Sequence, residues 1–150
     1  MKQDLTKKVF EITKMTPEQK LLMGRNSLVL LKRGLEEGGI SRSNIPNVIK
    51  MFTRLLVSAD RTCDEEEYQF FLNVTGMQMT RDEFYEMTNG GADKEFIEGA
   101  FELIDILDEA DRTALVCYAA ALLSCDNSFK VSEFSLLDRI MSGGEDEDED

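Results

Sequence analysis

Apolar residues recur every three to four positions along almost the whole chain, and no segment alternates apolar and polar residues for long enough to make a strand. The pattern predicts an all-α fold, a single helical domain of about seven or eight helices. We expect the domain to span residues 1–142, with residues 1–15 as an accessory helix that covers the core. The predicted helices lie near residues 3–14, 17–37, 46–59, 65–75, 81–89, 94–107, 112–125 and 132–141.

Capping residues mark most of the predicted helix starts. Thr16 precedes a proline and is followed three residues later by Gln19, and Thr80 stands three residues before Glu83. Single acids at Asp93 and Asp111 are expected to cap the sixth and seventh helices. The seventh carries three consecutive alanines, 119–121, whose small side chains let other helices approach closely, so we expect it to be the central helix.

The chain contains an internal repeat. Shifting it by 66 residues superposes Val48–Val74 on Ala114–Ile140. Each copy reads as a helix, a short loop and a second helix, with an aspartate where the first helix ends and a glutamate seven positions later. Four pairs are identical: Leu56/Leu122, Ser58/Ser124, Asp60/Asp126 and Glu67/Glu133.

This repeated pattern resembles the tellurite-resistance TerB-like family over roughly residues 16–142. The segments that carry the resemblance are 55–60, which lead to 64–67, and 122–126, which lead to 132–133. The resemblance implies a domain that belongs to a system for tellurite or related chemical stress linked to the cell envelope, in which these acidic positions bind metal. The chain departs from the family at Arg61 and Asn127, where the family usually has glycine; asparagine accepts a left-handed turn more readily than arginine does.

The paired acids are the candidate site. A carboxylate at a helix C-terminus is disfavoured by the helix dipole by about 0.3–1 kcal/mol, and a hard cation would offset this repulsion. The oxygen-only set of Asp60, Glu67, Asp126 and Glu133 suits Ca²⁺ or Mg²⁺. A second interpretation without a metal stays open. In it Glu67 forms a capping box with Asp64 at the start of its own helix, and Asp60 and Asp126 form ordinary turns.

Composition narrows the chemistry. The net charge of −13 argues against a nucleic-acid partner, and the absence of histidine removes Ser-His and Cys-His nucleophile pairs and the usual zinc sites. We therefore expect a non-enzyme. The cysteines at 63, 117 and 125 lack CxxC spacing, and the last two are expected about 12 Å apart along one helix, too far for a disulfide.

Charge divides the chain unevenly. Residues 1–54 carry a formal charge of +6 and the rest −19. Six consecutive acids, 145–150, close the chain, and we expect residues 143–150 to be a disordered acidic tail. No signal-like segment opens the chain, and the longest apolar run, 114–123, is too short to insert into a membrane, so the expected location is the cytoplasm.

The expected function is a non-enzymatic, cytosolic TerB-like stress-response domain with a divalent-cation site. A protein partner is expected, with membrane-associated proteins among the candidates. The alternative is an acidic helical adaptor that has no metal site and docks a basic partner on its acidic face.

Overall fold

Eight α-helices make up the part of the chain that the computed structural model describes, residues 3–58, 64–89 and 93–142, and no strand occurs in these ranges. The predicted all-α class and helix number are therefore confirmed. The predicted tail, 143–150, lies outside the described residues. The helices are α1 (Gln3–Thr13), α2 (Pro17–Glu37), α3 (Ile45–Ser58), α4 (Glu65–Thr75), α5 (Arg81–Asn89), α6 (Lys94–Ile104), α7 (Glu109–Leu123) and α8 (Val131–Met141).

The predicted capping residues set the starts of α2 and α5. Thr16 Oγ1 accepts a hydrogen bond from the Gln19 amide at 3.2 Å, and Gln19 Oε1 accepts one from the Thr16 amide at 2.9 Å. The same reciprocal pair of bonds joins Thr80 and Glu83, at 3.1 and 2.8 Å. Each box satisfies amides that a helix start leaves without an intrahelical partner.

Two predicted bounds between α6 and α7 are wrong. The cap of α7 is Asp108, whose Oδ1 accepts from the Asp111 amide at 2.8 Å, so Asp111 lies inside the first turn. Two capping-type acids three residues apart fit the same apolar pattern, and periodicity alone does not choose between them. In addition, α6 ends at Ile104: the chain then tightens into i to i+3 bonds, and Leu107 is buried from that turn.

The central position of α7 is confirmed. Every residue from 114 to 123 is buried, and α7 packs against α1, α2, α3, α4 and α8. Its closest neighbour is α2, which meets it at Gly34: a Cβ added to this glycine would lie 2.2 Å from Asp111 Cγ. The close approach of α2 to α7 at this point therefore requires glycine, which has no side chain.

The two repeat copies form the units α3–α4 and α7–α8, and a buried hydrogen bond joins their first helices. Thr53 Oγ1 and the Tyr118 hydroxyl are 2.8 Å apart, and Thr53 Oγ1 also bonds the Ile49 carbonyl at 2.8 Å. Because the Thr53 hydroxyl donates to that carbonyl, it accepts from Tyr118. The bond satisfies both hydroxyls in the core.

Helix α1 covers α7 and α8, and α5 closes the other unit. Val9 and Ile12 are the buried residues of α1, while the Phe10 ring stacks on Phe134 with centroids 5.5 Å apart. Phe84 of α5 packs with Phe71 of α4 at 5.3 Å between ring centroids. Among the described helices, none combines the length and the apolar character needed to cross a membrane.

Candidate functional site

Of the two predicted acidic loops, the structure describes the one that follows α7. Asp126 Oδ1 accepts from both the amide and the hydroxyl of Ser128, at 3.0 and 2.7 Å, so the aspartate forms a turn with its own backbone. Asn127 adopts the left-handed conformation with φ of 66°. Asp126 therefore forms a turn of the kind that the alternative interpretation expects. Its repeat partner, Asp60, lies outside the described residues.

The carboxyl groups of Asp64 and Asp126 meet between the two units, within hydrogen-bonding distance of each other. Burial, together with the contact to Asp126, raises the pKa of Asp64 to about 6. At Asp126 burial acts upward, but hydrogen bonds from Asp64 and Ser128 outweigh it and hold its pKa below the ordinary value. The two carboxyls therefore share a proton in mildly acidic solution, and above that range they are two adjacent negative charges.

Sequence reasoning treated Asp64 only as the cap of α4, and it is that cap: its Oδ1 accepts from the Glu67 amide at 2.9 Å. Its contact with Asp126 could not be predicted from the repeat, because the shift of 66 residues places Lys130 at the equivalent position. Only the packing of one unit against the other brings Asp64 to Asp126.

Glu67 and Glu133 occupy equivalent positions in the two units, as the repeat predicts. Each is the third residue of its helix and is only 1% exposed. Glu67 Oε1 accepts from the Asp64 amide at 3.3 Å, and Glu133 Oε1 accepts from the Lys130 amide at 2.7 Å. Each glutamate therefore caps its own helix, and its carboxylate is held at the start of that helix.

Lys20 is a site residue that the sequence analysis missed. It is 2% exposed, and its Nζ donates to the Ser124 carbonyl, at the end of α7, with a distance of 2.6 Å. Burial lowers the pKa of Lys20, while the neighbouring Cys125 and Asp126 act in the opposite direction. The end of α7 thus already contacts an internal cation. A signal was present, because Lys20 lies on the same stripe of α2 as the buried Gly24, Ser27 and Leu31.

Cys125 lies near both Lys20 and the acids. Burial raises the pKa of its thiol, and the charges of Glu67, Asp126 and Asp64 add to that effect. A thiol held protonated in this way is a poor nucleophile. Cys117 and Cys125 are both free thiols, which agrees with the prediction that they do not form a disulfide. Cys63 is outside the described residues.

A cleft of about 320 Å³ opens between α2 and α4, where Lys20 and Cys125 form part of its lining. Its lining holds two acids, of which Glu65 is paired with the Arg81 guanidinium, so Glu66 is the acid that offers the cleft a negative charge. Its lining consists of Pro17, Lys20, Leu21, Glu65, Glu66, Gln69, Phe70, Asn73 and Cys125.

The structure therefore places Glu67 and Asp126 around Cys125 together with Asp64, and it places Glu133 at the start of α8. Within residues 3–58, 64–89 and 93–142, no group of three or more His, Cys, Asp or Glu side chains is arranged to hold a metal ion. The loop that contains Asp60 is not part of these ranges. The predicted metal site, formed by Asp60, Glu67, Asp126 and Glu133, remains a prediction.

The described part of the molecule is an all-helical protein with two related helix-loop-helix units and a carboxyl pair between them. Comparison with protein-family models, curated proteins and solved structures gives no significant match to this chain. The resemblance to the TerB-like family therefore rests on the repeated acidic pattern alone.

The carboxyl pair makes the stability of the protein depend on pH. The pKa of Asp64 rises from 3.8 to about 6 in the folded state, so between these values the native chain binds more protons than the unfolded chain. The free energy of unfolding should therefore fall as pH rises through this window, by about 1 kcal/mol after allowance for the partial exposure of Asp64. Asp64→Asn keeps a good capping residue and should remove this decline.

Urea unfolding at pH 4.5 and pH 7.5 measures the effect. The matched control is Asp93→Asn, the same change at the cap of α6, which should leave the wild-type pH dependence unaltered. A decline of wild-type size in Asp64→Asn would contradict the assignment of the pH dependence to this pair.

Proposed function

We propose that this protein is a non-enzymatic, cytoplasmic TerB-like stress-response domain that binds Ca²⁺ or Mg²⁺ between its two acidic loops. The observation that carries the proposal is the meeting of the Asp64 and Asp126 carboxyls at the contact of the two units. Adjacent carboxylates repel each other at neutral pH, and a divalent cation that bridges their oxygens would replace this repulsion with attraction.

The proposed ligands are Asp126 with its repeat partner Asp60, joined by Asp64. Glu67 and Glu133 complete the predicted set, and the caps they form fix the ends of both loops. All these groups offer oxygen, which hard cations prefer. The chemistry supports binding in place of catalysis, because the thiol that the structure describes beside these acids, Cys125, has a raised pKa.

The link to tellurite or related chemical stress, and to a partner near the cell envelope, comes from the family resemblance. In this proposal the bound cation sets the relative position of α3–α4 and α7–α8, and a protein partner recognises the result. Membrane-associated proteins are among the candidate partners.

The second candidate is an acidic adaptor that has no metal site. Two observations favour it: Asp126 already bonds Ser128, and the Lys20 ammonium already occupies the end of α7. In that case the acids around the cleft between α2 and α4 would dock a basic partner.

Thermal melting of metal-stripped protein distinguishes the two candidates. With Ca²⁺ or Mg²⁺ at about 100 times the dissociation constant, binding adds about 2.7 kcal/mol, which corresponds to a rise in Tm of about 5–10 °C for a chain of this size. The double variant Asp64→Asn/Asp126→Asn should lose this rise, since asparagine retains the cap and the turn but not the charge.

The control variant is Asp93→Asn/Asp108→Asn, which changes two capping aspartates elsewhere and alters the net charge equally. Sodium chloride at the same ionic strength serves as the control ion. Equal responses to every ion, in all three proteins, would overturn the metal proposal and leave the adaptor.

A further inference from the structure

Helix α2 has an exposed apolar face on the side away from α7. Leu22, Val29 and Leu30 are 58%, 56% and 51% exposed. At 100° per residue these three side chains and Arg33 fall on one face of the helix. Apolar residues grouped in this way on a soluble surface are typical of a contact site.

The face ends in a cleft of about 490 Å³ between α2 and the start of α3. Its lining combines apolar residues with charged ones, among which cations outnumber acids. The lining residues are Val29, Lys32, Arg33, Glu36, Arg42, Ile45 and Pro46. Because Glu36 is engaged by the Arg42 guanidinium, Lys32 and Arg33 give the cleft its positive charge.

This local charge is opposite to that of the molecule. The chain carries −13 in total, whereas residues 1–54 carry +6. Since screening limits electrostatic interactions to about 8 Å at physiological ionic strength, a ligand in the cleft responds mainly to Lys32 and Arg33. The charge at this face therefore complements an acidic ligand.

We propose that the face formed by Leu22, Val29 and Leu30, together with this cleft, docks an acidic amphipathic segment of a partner protein. An apolar side chain of the partner enters the cleft over Val29 and Pro46, and carboxylates beside it pair with Lys32 and Arg33. A helix laid along α2 presents such side chains one turn apart.

The concave shape separates this occupant from a flat anionic membrane, which cannot place a side chain in a cleft and is repelled by the net charge. The docking site is also independent of the acidic loops, since Lys20 and Arg33 are separated by about 20 Å along α2.

The probe is a fluorescein-labelled peptide of fourteen residues that contains only glutamate and leucine, with the leucines spaced three and four apart. Fluorescence anisotropy with the full chain should give half-maximal binding at or below about 100 μM. A matched peptide with serine for leucine should bind at least about tenfold more weakly, and any binding of a matched peptide with lysine for glutamate should not be weakened by Lys32→Glu/Arg33→Glu.

Lys32→Glu/Arg33→Glu should weaken binding of the acidic peptide about tenfold, and Val29→Ser about fivefold. The matched control Lys7→Glu/Lys8→Glu changes the net charge equally on α1 and should stay within about twofold of wild type. Equal losses in both double variants would show general charge attraction and overturn the proposal, as would absence of binding at 1 mM peptide.

Three further outcomes would assign the surface to a different occupant and overturn the proposal. The first is self-association that Val29→Ser abolishes. The second is binding to phosphatidylserine vesicles that requires Lys32 and Arg33. The third is peptide binding that appears only when the acids from Glu145 to Asp150 are changed to their amides, because the chain's own acidic segment would then be the occupant.

Discussion

Gly34→Ala is expected to lower the free energy of unfolding by about 2–3 kcal/mol, because the new methyl group overlaps the neighbouring helix. The added Cβ would lie 2.2 Å from Asp111 Cγ and 2.3 and 2.4 Å from its two carboxylate oxygens. Asp111 is short and lies in the first turn of α7, so it has little room to move without shifting α2 from the central helix. Urea unfolding at neutral pH measures the change.

Two other glycines calibrate this result. A Cβ added to Gly99, inside α6, would meet no atom within 4 Å, so Gly99→Ala should stabilise the protein by about 0.5–1 kcal/mol through helix propensity. At Gly24 the nearest atoms, Phe70 Cζ and Val74 Cγ2, lie at 3.1 Å, and the effect should fall between the other two. A Gly34→Ala variant as stable as Gly99→Ala would contradict the close contact of α2 and α7.

The double variant Gly34→Ala/Asp111→Ala locates the cause. If the overlap with Asp111 is responsible, truncating that side chain should recover most of the loss. If the free energy of unfolding lost in the double variant equals the sum of the losses in the two single variants, the effect of Gly34→Ala arises from another neighbour.

Local signals account for the part of the fold that the sequence predicts. Thr16 and Gly76 act through atoms a few residues away: the first caps α2, and the second ends α4 in a left-handed conformation with φ of 71°. The start of α7 was predicted wrongly where two such signals compete, at Asp108 and Asp111. The choice there depends on how the turn after α6 carries Leu107 into the core, which is a property of the packed structure.

The candidate site was less predictable, because its contacts join distant parts of the chain. The repeat correctly gave equivalent positions to Glu67 and Glu133, since each caps its own helix. The meeting of Asp64 with Asp126 requires the two units to pack together, and Lys20 reaches the site from a helix outside the repeat. Neither contact follows from spacing.

Lys20 also changes how the electrostatics of the acidic loop are understood. An acid at the end of α7 is disfavoured by the helix dipole unless a positive charge lies nearby, and the sequence pattern assigns that charge to a metal ion. The Lys20 ammonium lies 2.6 Å from the Ser124 carbonyl and beside Asp126, so the protein supplies a positive charge of its own. Because one ammonium balances the charge of only one of the two carboxylates, Asp64 and Asp126, a second cation would still be attracted to the pair.

Lys20→Met is accordingly expected to lower the free energy of unfolding by about 1–2 kcal/mol at pH 7, because the charged hydrogen bond to Ser124 is lost and Asp126 loses a neighbouring cation, whereas the Ser124 carbonyl keeps its bond from the Asn127 amide and the cost of burying the ammonium is removed. Methionine retains the apolar length of the side chain, so the packing of α2 changes little. Lys32→Met is the control on the same helix, and this exposed position should stay within about 0.5 kcal/mol of wild type. A Lys20→Met variant as stable as Lys32→Met would show that the ammonium does not stabilise the end of α7.

The same variant tests how Lys20 and a divalent cation interact. The ammonium repels a second cation near Asp126, so its removal should raise the affinity for Ca²⁺ or Mg²⁺ and enlarge the metal-induced rise in Tm above that of wild type. If metal restores much of the stability that Lys20→Met loses, the lysine and the metal act on the same acids. If Lys20→Met loses stability and no divalent ion restores it, the lysine alone neutralises this loop, and the adaptor function is favoured.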